Sequence, residues 1–365
     1  MYTMQHIIQQ LNQLAPPHLA EAWDNVGLLL GDSKSEVHRI LCALDLNERV
    51  VEEAITKKVQ AIVLHHPFIF KAIKKLDFGT SQGRMIQQLI KHDINVFAMH
   101  TNFDIATGGM NDYLAELFEL KETCVLQETG QVKCVKVVIY VPQTHFELVR
   151  DKMIAWNPCK IGNYSGCTFM TEGEGTFCPE EGASPFIGEK HALEKVKEVK
   201  LEFMTYANQV QEMLEVLKTV HPYEEIAWDA FELSNQSEAY GLGRVGICAP
   251  IDVYAFIEKV KQIFNIPYVR VVGASPKQIT RLAICSGSGA SVIGSAVGRA
   301  DILITGDVGF HDAQYAIDQG LIVLDVGHYA SENIGMQHIK SYLESRLCDV
   351  EVMCSEVDGE VFQTL

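Results

Sequence analysis

The sequence predicts one α/β core in two halves, interrupted by an inserted α+β segment. Three observations carry this. Short apolar runs alternate with helical patterns over the first third of the chain. The same alternation returns in the last third, and the stretch between them is richer in strand patterns and glycine. At 365 residues the chain is also too long for one simple core. The expected divisions are residues 1–128, 129–239 and 240–365.

Residues 3–14 read as an amphipathic helix stopped by Pro16-Pro17. "NVGLLLGD" and "RILCALDL" read as strands, and a helix follows from about Glu48 to Lys58. Then come the strand "AIVLHHP", a helix over Arg84–His92, "NVFAMHTNFD", and a helix from Met110. In the middle segment "KCVKVVIYVP", "VKEVKLEFMTY" and "YEEIAWDAFEL" are strands; "THFELVRDKMIAW" and "QVQEMLEVLKTV" are helices. A Gly-rich stretch with little helical pattern spans Gly162–Gly188. The order is close to βαββαβ, which is ferredoxin-like. After it, "RLAICSGSG" is a strand and a glycine turn, "SVIGSAVGRA" a helix, and "DILITGDVGFHD" a strand with its exit loop. A helix over Ala313–Gln319, the strand "LIVLDVGHYASE" running into a helix at 331–346, and the strand "DVEVMCSE" complete the order.

Hydrophobic content of 47% and charged content of 21% describe an ordinary globular chain. The net charge of -17 and the lack of a Lys/Arg cluster argue against a duplex nucleic-acid partner. The N-terminus shows no secretory pattern, and no apolar segment reaches the roughly 20 residues of a membrane span. The ten cysteines contain no CxxC, so free thiols in a reducing cytoplasm are expected.

Four apolar strands end in metal-type ligands: Leu64-His65-His66, "MHTNFD", "TGDVGFHD" and "DVGHYASE". Ligands of open α/β sheets gather at the carboxyl ends of strands, so the four could supply one crevice. His328 and Glu332, four apart at a helix start, can face one ion. Asp104 would supply a second carboxylate. Adjacent His65 and His66 suit two ions astride a strand tip, with Glu332 as the bridge. On spacing alone Asp307 and His311 rank equally with these. His92, His145, His191 and His338 read as structural, and so does His221, beside a packed Trp228. "CSGSGASVIG" fails both the dinucleotide and the P-loop patterns, although free N–H groups at its turn could hold a phosphate.

Together "AEAWDNVGLLLGD", "VLHHP", "HTNFD", "CSGSG", "ITGDVGFHDAQYAIDQGLIVLDVGH" and "GHYASE" resemble the NIF3 family, the GTP cyclohydrolase 1 type 2 homologs. The middle, with "HPYEEIAWD", resembles the PII/CutA-like insert of longer bacterial members of the YqfO type. The resemblance implies a NIF3-like core in two lobes and a toroidal homohexamer built as a trimer of dimers. It also implies two divalent metal ions per chain, zinc first, with iron, manganese or nickel as alternatives. Carried over by motif, the ligands are His65, His66, Asp104, His328 and Glu332. Asp307 and His311 then fall outside the ligand set, and His311 becomes the candidate for proton transfer. The "HHP" motif has proline where many members carry glycine.

Two functions follow as expectations. One is a cytoplasmic metal-dependent hydrolase acting on a nucleotide, GTP ring opening being suggested by the family label and phosphoester hydrolysis being open to the same site. The other is a non-enzymatic metal-binding or regulatory scaffold, with the PII-like insert sensing a ligand or capping a ring.

Overall fold

The computed structural model describes residues 2–157, 159–161, 163–273 and 278–363, with the side chains at 235–238 left aside. Gly162, where the expected Gly-rich stretch begins, lies outside the described residues. The chain divides into two compact units, Met1–Thr129 with Tyr240–Leu365, and Gly130–Ala239.

The first unit holds two sheets that position the site. One has the strand order Glu351–Cys354, Arg39–Ala43, Ala61–Leu64, Asn95–Ala98, Gly27–Leu30. The first four strands are parallel and the last is antiparallel to its neighbour. Ala61–Leu64 and Asn95–Ala98 are buried at every residue, as strands covered on both faces must be. Helices Glu48–Thr56 and Ser81–Lys91 connect the parallel strands, each begun by a side chain that accepts a backbone N–H: Asn47 from Val50 and Thr80 from Gly83.

In the other sheet Gln278–Ser288, Ile302–Gly306 and Ile322–Asp325 are parallel. Arg270–Val272 flanks them antiparallel on one side, and residues 244–252 of the long strand Trp228–Asp252 on the other. One apolar core joins the two sheets: Val63 and Phe97 from the first pack in the same cluster as Ile284, Ile304 and Leu324 from the second.

Arg244 ties the two halves of this unit. The residue is 3% exposed, and its guanidinium pairs with Asp112 and donates to the carbonyl oxygens of Gly241 (3.0 Å) and Ala106 (3.2 Å). Breaking a buried pair leaves an uncompensated charge. Arg244→Ala is therefore expected to lower the unfolding free energy by about 3–5 kcal/mol, read by denaturant titration.

Several elements differ from expectation. "TNFD" forms a short helix, Thr101–Ile105, rather than continuing the strand. "SVIGSAVGRA" gives only a 3-10 turn at Ala290–Val292 and the single helical turn Ile293–Ala296, and the chain turns at Gly298 (φ +74°). Helix Val253–Phe264 is absent from the expected order; it buries Val253, Phe256, Ile257, Val260 and Phe264 and is capped by Asp252.

The second unit contains residues 130–142 of the strand Lys121–Pro142, helix Phe146–Trp156, strands Thr168–Phe177 and Glu194–Tyr206, helix Val210–Lys218, and the beginning of Trp228–Asp252. Glu194–Tyr206 pairs antiparallel with residues 134–142 on one side and with Thr168–Phe177 on the other. Val137, Ile139, Leu201 and Phe203 pack against Val149, Met153, Met213 and Leu217 of the helices. Trp228 rests partly buried on that core. His221 has both ring nitrogens engaged, with the Tyr140 carbonyl and the Tyr223 N–H, so it has no nitrogen left for a metal. Among the described residues no helix is long and apolar enough to cross a membrane.

Candidate metal centre

The carboxyl ends of strands from both sheets of the first unit converge on one cluster. His65 and His66 follow Ala61–Leu64, and His100 and Asp104 follow Asn95–Ala98. Asp307 follows Ile302–Gly306, and His328 with Glu332 follows Ile322–Asp325 on helix His328–Asn333. Alternation along a strand would send neighbouring histidines to opposite faces, but the strand ends at Leu64 and the His65 and His66 rings lie 5.1 Å apart.

Each histidine is oriented the same way. Its Nδ1 faces an oxygen: the Met99 carbonyl for His65 (2.9 Å), Asp45 for His66 (2.8 Å), Asp24 for His100 (2.9 Å) and Asp307 for His328 (2.6 Å). These contacts favour the tautomer with hydrogen on Nδ1 and leave Nε2 for a ligand, the arrangement of metal-binding histidines. The Asp24 side chain is fully covered and also accepts from the Thr101 N–H and hydroxyl, which fixes His100 further.

Glu332 lies at the centre, and its two oxygens face different partners. Oε1 is 3.8 Å from His65 Nε2, which is also 3.8 Å from Asp104 Oδ1. Oε2 is 2.9 Å from His66 Nε2 and 3.0 Å from His328 Nε2. Although these last distances are short, neither nitrogen approaches along a hydrogen-bonding direction. Buried Glu332 Oε2 and His65 Nε2 are both left without a hydrogen-bond partner. Unsatisfied buried atoms are rare, and here they are nitrogen and oxygen lone pairs that converge as metal ligands do. Two groups meet the spacing for a common ion: His65, His66 and His100, and His66, His328 and Glu332.

The charges fit a cation. Burial lowers the His66 pKa, but contacts with Asp45 and Glu332 outweigh it and raise it to about 10. Glu332 and then Asp307 raise His328 to about 9 against its burial. Burial works to raise the Glu332 carboxyl, yet the facing histidines hold it far below the usual range. Burial and the Glu332 charge push Asp104 upward against His65 and His100. Without metal, protons on His66 and His328 balance the carboxylates.

The turn after Gln278–Ser288 closes the site. Ser286 Oγ donates to Asp104 Oδ1 (2.9 Å), and Gly287 N–H donates to Ser331 Oγ (3.0 Å). The Ser286 and Gly289 N–H groups are also taken, by Asn111 and by the Gly287 carbonyl, so this turn does not offer them to a phosphate. Its glycine has another reason. Gly287 sits at φ +59°, and a Cβ there would collide with Glu332 Oε1. Gly287→Ala should shift Glu332 and weaken zinc binding by about 10–100-fold in a calorimetric titration, the usual cost of disturbing the support of a ligand.

Of the expected site residues, His65, His66, Asp104, His328 and Glu332 come together, and Asp307 supports His328. His311 is exposed in the first turn of helix Phe310–Asp318, with its Nδ1 on Gln314 (3.1 Å), and belongs to neither ligand group. The reading from sequence did not single out His100, Asp24 or Asp45. His100 was visible within "MHTNFD"; Asp24 and Asp45 stand in separate loops with no local signal.

Comparison with known proteins agrees across the chain. The family model described as Duf34/NIF3 (NGG1p interacting factor 3) matches residues 2–360. A GTP cyclohydrolase 1 type 2 homolog of Halalkalibacterium halodurans is 39% identical over 364 residues, 98% of each chain. The Bacillus subtilis protein of the same name is 38% identical over 367 residues, 99% of this chain and 98% of that one. The crystal structure of a Bacillus cereus protein related to NIF3 matches with a TM-score of 0.89 and 36% identity, covering 100% of this chain and 99% of that one. With the family match, the converging strand ends and the shared length in agreement, the chain belongs to the Duf34/NIF3 family.

Proposed function

We propose that this protein is a dinuclear metal-dependent hydrolase acting on a nucleotide. The observation that carries the reading is the split role of Glu332, with Oε1 3.8 Å from His65 and Oε2 2.9 Å from His66 and 3.0 Å from His328. His65 and Asp104 would hold one ion and His66 and His328 a second, with Glu332 within reach of both, and the mixed histidine and carboxylate donors suit zinc, with iron, manganese or nickel as alternatives. When bound, such a metal pair supplies hydroxide near neutral pH and polarises the attacked centre. The chain's part is to aim the Nε2 atoms through Asp45, Asp24, Asp307 and the Met99 carbonyl, and to close the His65 side against water. The His328 side chain, 37% exposed, leaves an open approach, which favours chemistry over a closed structural site. The names of the relatives suggest ring opening of GTP at C8.

The reading extends to assembly and place. Residues 1–128 and 240–365 form the NIF3-like lobes, and 129–239 a ferredoxin-like, PII/CutA-like insert. The βαββαβ order and the central pairing of Glu194–Tyr206 support the latter. A cytoplasmic toroidal homohexamer, a trimer of dimers, is the assembly proposed.

The test is turnover of GTP by zinc-loaded protein. His66→Ala should abolish turnover together with metal binding. His311→Ala should lower turnover while keeping the metal, since His311 is the proposed proton-transfer group. Turnover that persists unchanged in His66→Ala would sink the hydrolase reading.

A further inference from the structure

A line of rings leads outward from the metal cluster. His100 lies 5.3 Å from His65 and 5.5 Å from His66 between ring centroids. The Trp23 indole meets His100 edge-on at 5.9 Å, and Phe70 lies 5.8 Å beyond Trp23. Trp23 is 58% exposed and Phe70 47% exposed. Large aromatic surface in water is costly, so two neighbouring exposed rings beside a reactive cluster need an explanation. The pair is also fixed in place. Asn25 Nδ2 donates to the Ile69 carbonyl (2.5 Å), tying the Trp23 loop to the Phe70 loop. Gln82 donates to the Phe68 carbonyl from below (3.1 Å).

Directly after Phe70, a cleft of about 480 Å³ is lined by Phe68, Phe70, Lys71, Lys74 and Lys75. Among the described residues none of these three lysines has an ion-pair partner. In a chain of net charge -17, three solvated ammonium groups within five residues make a local positive patch suited to an anion. Aromatic faces next to free cations, leading away from a metal cluster, match a ligand with a π-face and a polyanionic tail.

We infer that Trp23 and Phe70 stack the base of a nucleoside triphosphate and that Lys71, Lys74 and Lys75 hold its phosphates, with the reacting end toward His100 and the metal cluster. This rests on the nucleotide reading above and names the residues that select the substrate. The flat rings take any base face; the lysines, as point charges on flexible stems, give affinity that salt screens.

The experiment is equilibrium binding of GTP to zinc-loaded full-length protein at low and high salt, with metal content measured on every sample. Trp23→Ala should weaken GTP binding about tenfold or more, and Trp23→Phe should restore most of it, because a ring suffices for stacking. The Lys71→Ala, Lys74→Ala, Lys75→Ala triple variant should weaken GTP similarly, flatten its salt dependence, and leave guanosine binding unchanged. Metal content should equal that of wild type throughout. Unchanged GTP affinity in Trp23→Ala and in the triple variant would overturn this assignment alone, whereas a wild-type protein that binds no GTP would overturn it together with the nucleotide reading. A change of oligomeric state in these variants with unaltered GTP affinity would also overturn it, marking the face as a contact between copies. None of these outcomes alters the metal content of His66→Ala or Glu332→Gln, so failure here and failure of the metal reading are told apart.

Discussion

Glu332→Gln is expected to remove the metal from the centre, lowering zinc affinity by more than about a hundredfold. The amide keeps the shape of the side chain and loses the charge. Disturbing a group that merely supports a ligand already costs about 10–100-fold, and Glu332 touches both halves of the cluster. The loss has a second source. Glu332 is the shared anion beside His65, His66 and His328, and a neutral amide removes the charge that would balance a bound cation. Calorimetric titration of chelator-treated protein with zinc reads the effect. An affinity within about tenfold of wild type would remove Glu332 from the bridging position. Unfolding measured in chelator separates this from a folding defect, because the apolar core joining the two sheets does not include Glu332.

Metal binding is also expected to be strongly proton-linked. The metal-free centre holds His66 up to about 10 and His328 up to about 9, so both carry protons at neutral pH. A ligating histidine must be neutral, so binding expels these protons. Zinc affinity should therefore rise with pH, by about tenfold per unit for each proton released, and level off above the two pKa values. Calorimetry in buffers of different ionisation enthalpy counts the protons directly. The stability of the metal-free protein runs the other way. Both folded-state values lie above the unfolded value of about 6.5. The stabilisation from these two histidines is therefore complete below that pH and is lost as pH rises through about 9 and 10. Denaturant midpoints in chelator should fall across that window, while zinc-loaded midpoints should not. A metal-free midpoint that climbs from neutral pH to 10 would contradict the assigned charges.

The convergence of His65, His66, Asp104, His328 and Glu332 was legible because chemistry and topology coincide in the sequence. Apolar strands end directly in histidines and carboxylates, and parallel strands bring their carboxyl ends together. Asp307 was named from the sequence beside these residues, but the pairing of the supporting carboxylates with their histidines was not legible, for the same topological reason. Asp24 reaches His100 across 76 residues, and Asp45 reaches His66 and Asp307 reaches His328 across 21 each. Pairing them requires knowing which strands are neighbours, and motif spacing does not say so. Gly287 shows a similar limit. "CSGSG" reads as a tight strand-to-helix turn whose N–H groups could hold a phosphate, whereas its glycine is there because Glu332 occupies the space a Cβ would need.

The fold followed the same division. Helix Val253–Phe264 carries apolar residues at the helical period and an Asp252 cap, so its absence from the expected order was an oversight of readable periodicity. Strand Thr168–Phe177 is different. "TFMTEGEGTF" has two glycines, two glutamates and no buried face, and it is a strand because Glu194–Tyr206 pairs with it along its whole length. Long-range pairing overrode local propensity there.

The most direct test of the account is the metal-to-chain ratio of wild-type protein reconstituted with zinc, taken by elemental analysis and paired with X-ray absorption at the zinc edge. A dinuclear centre gives two ions per chain and a metal–metal distance of about 3.5–4 Å. A ratio of one or none, or two ions with no metal–metal scattering at that distance, would contradict it.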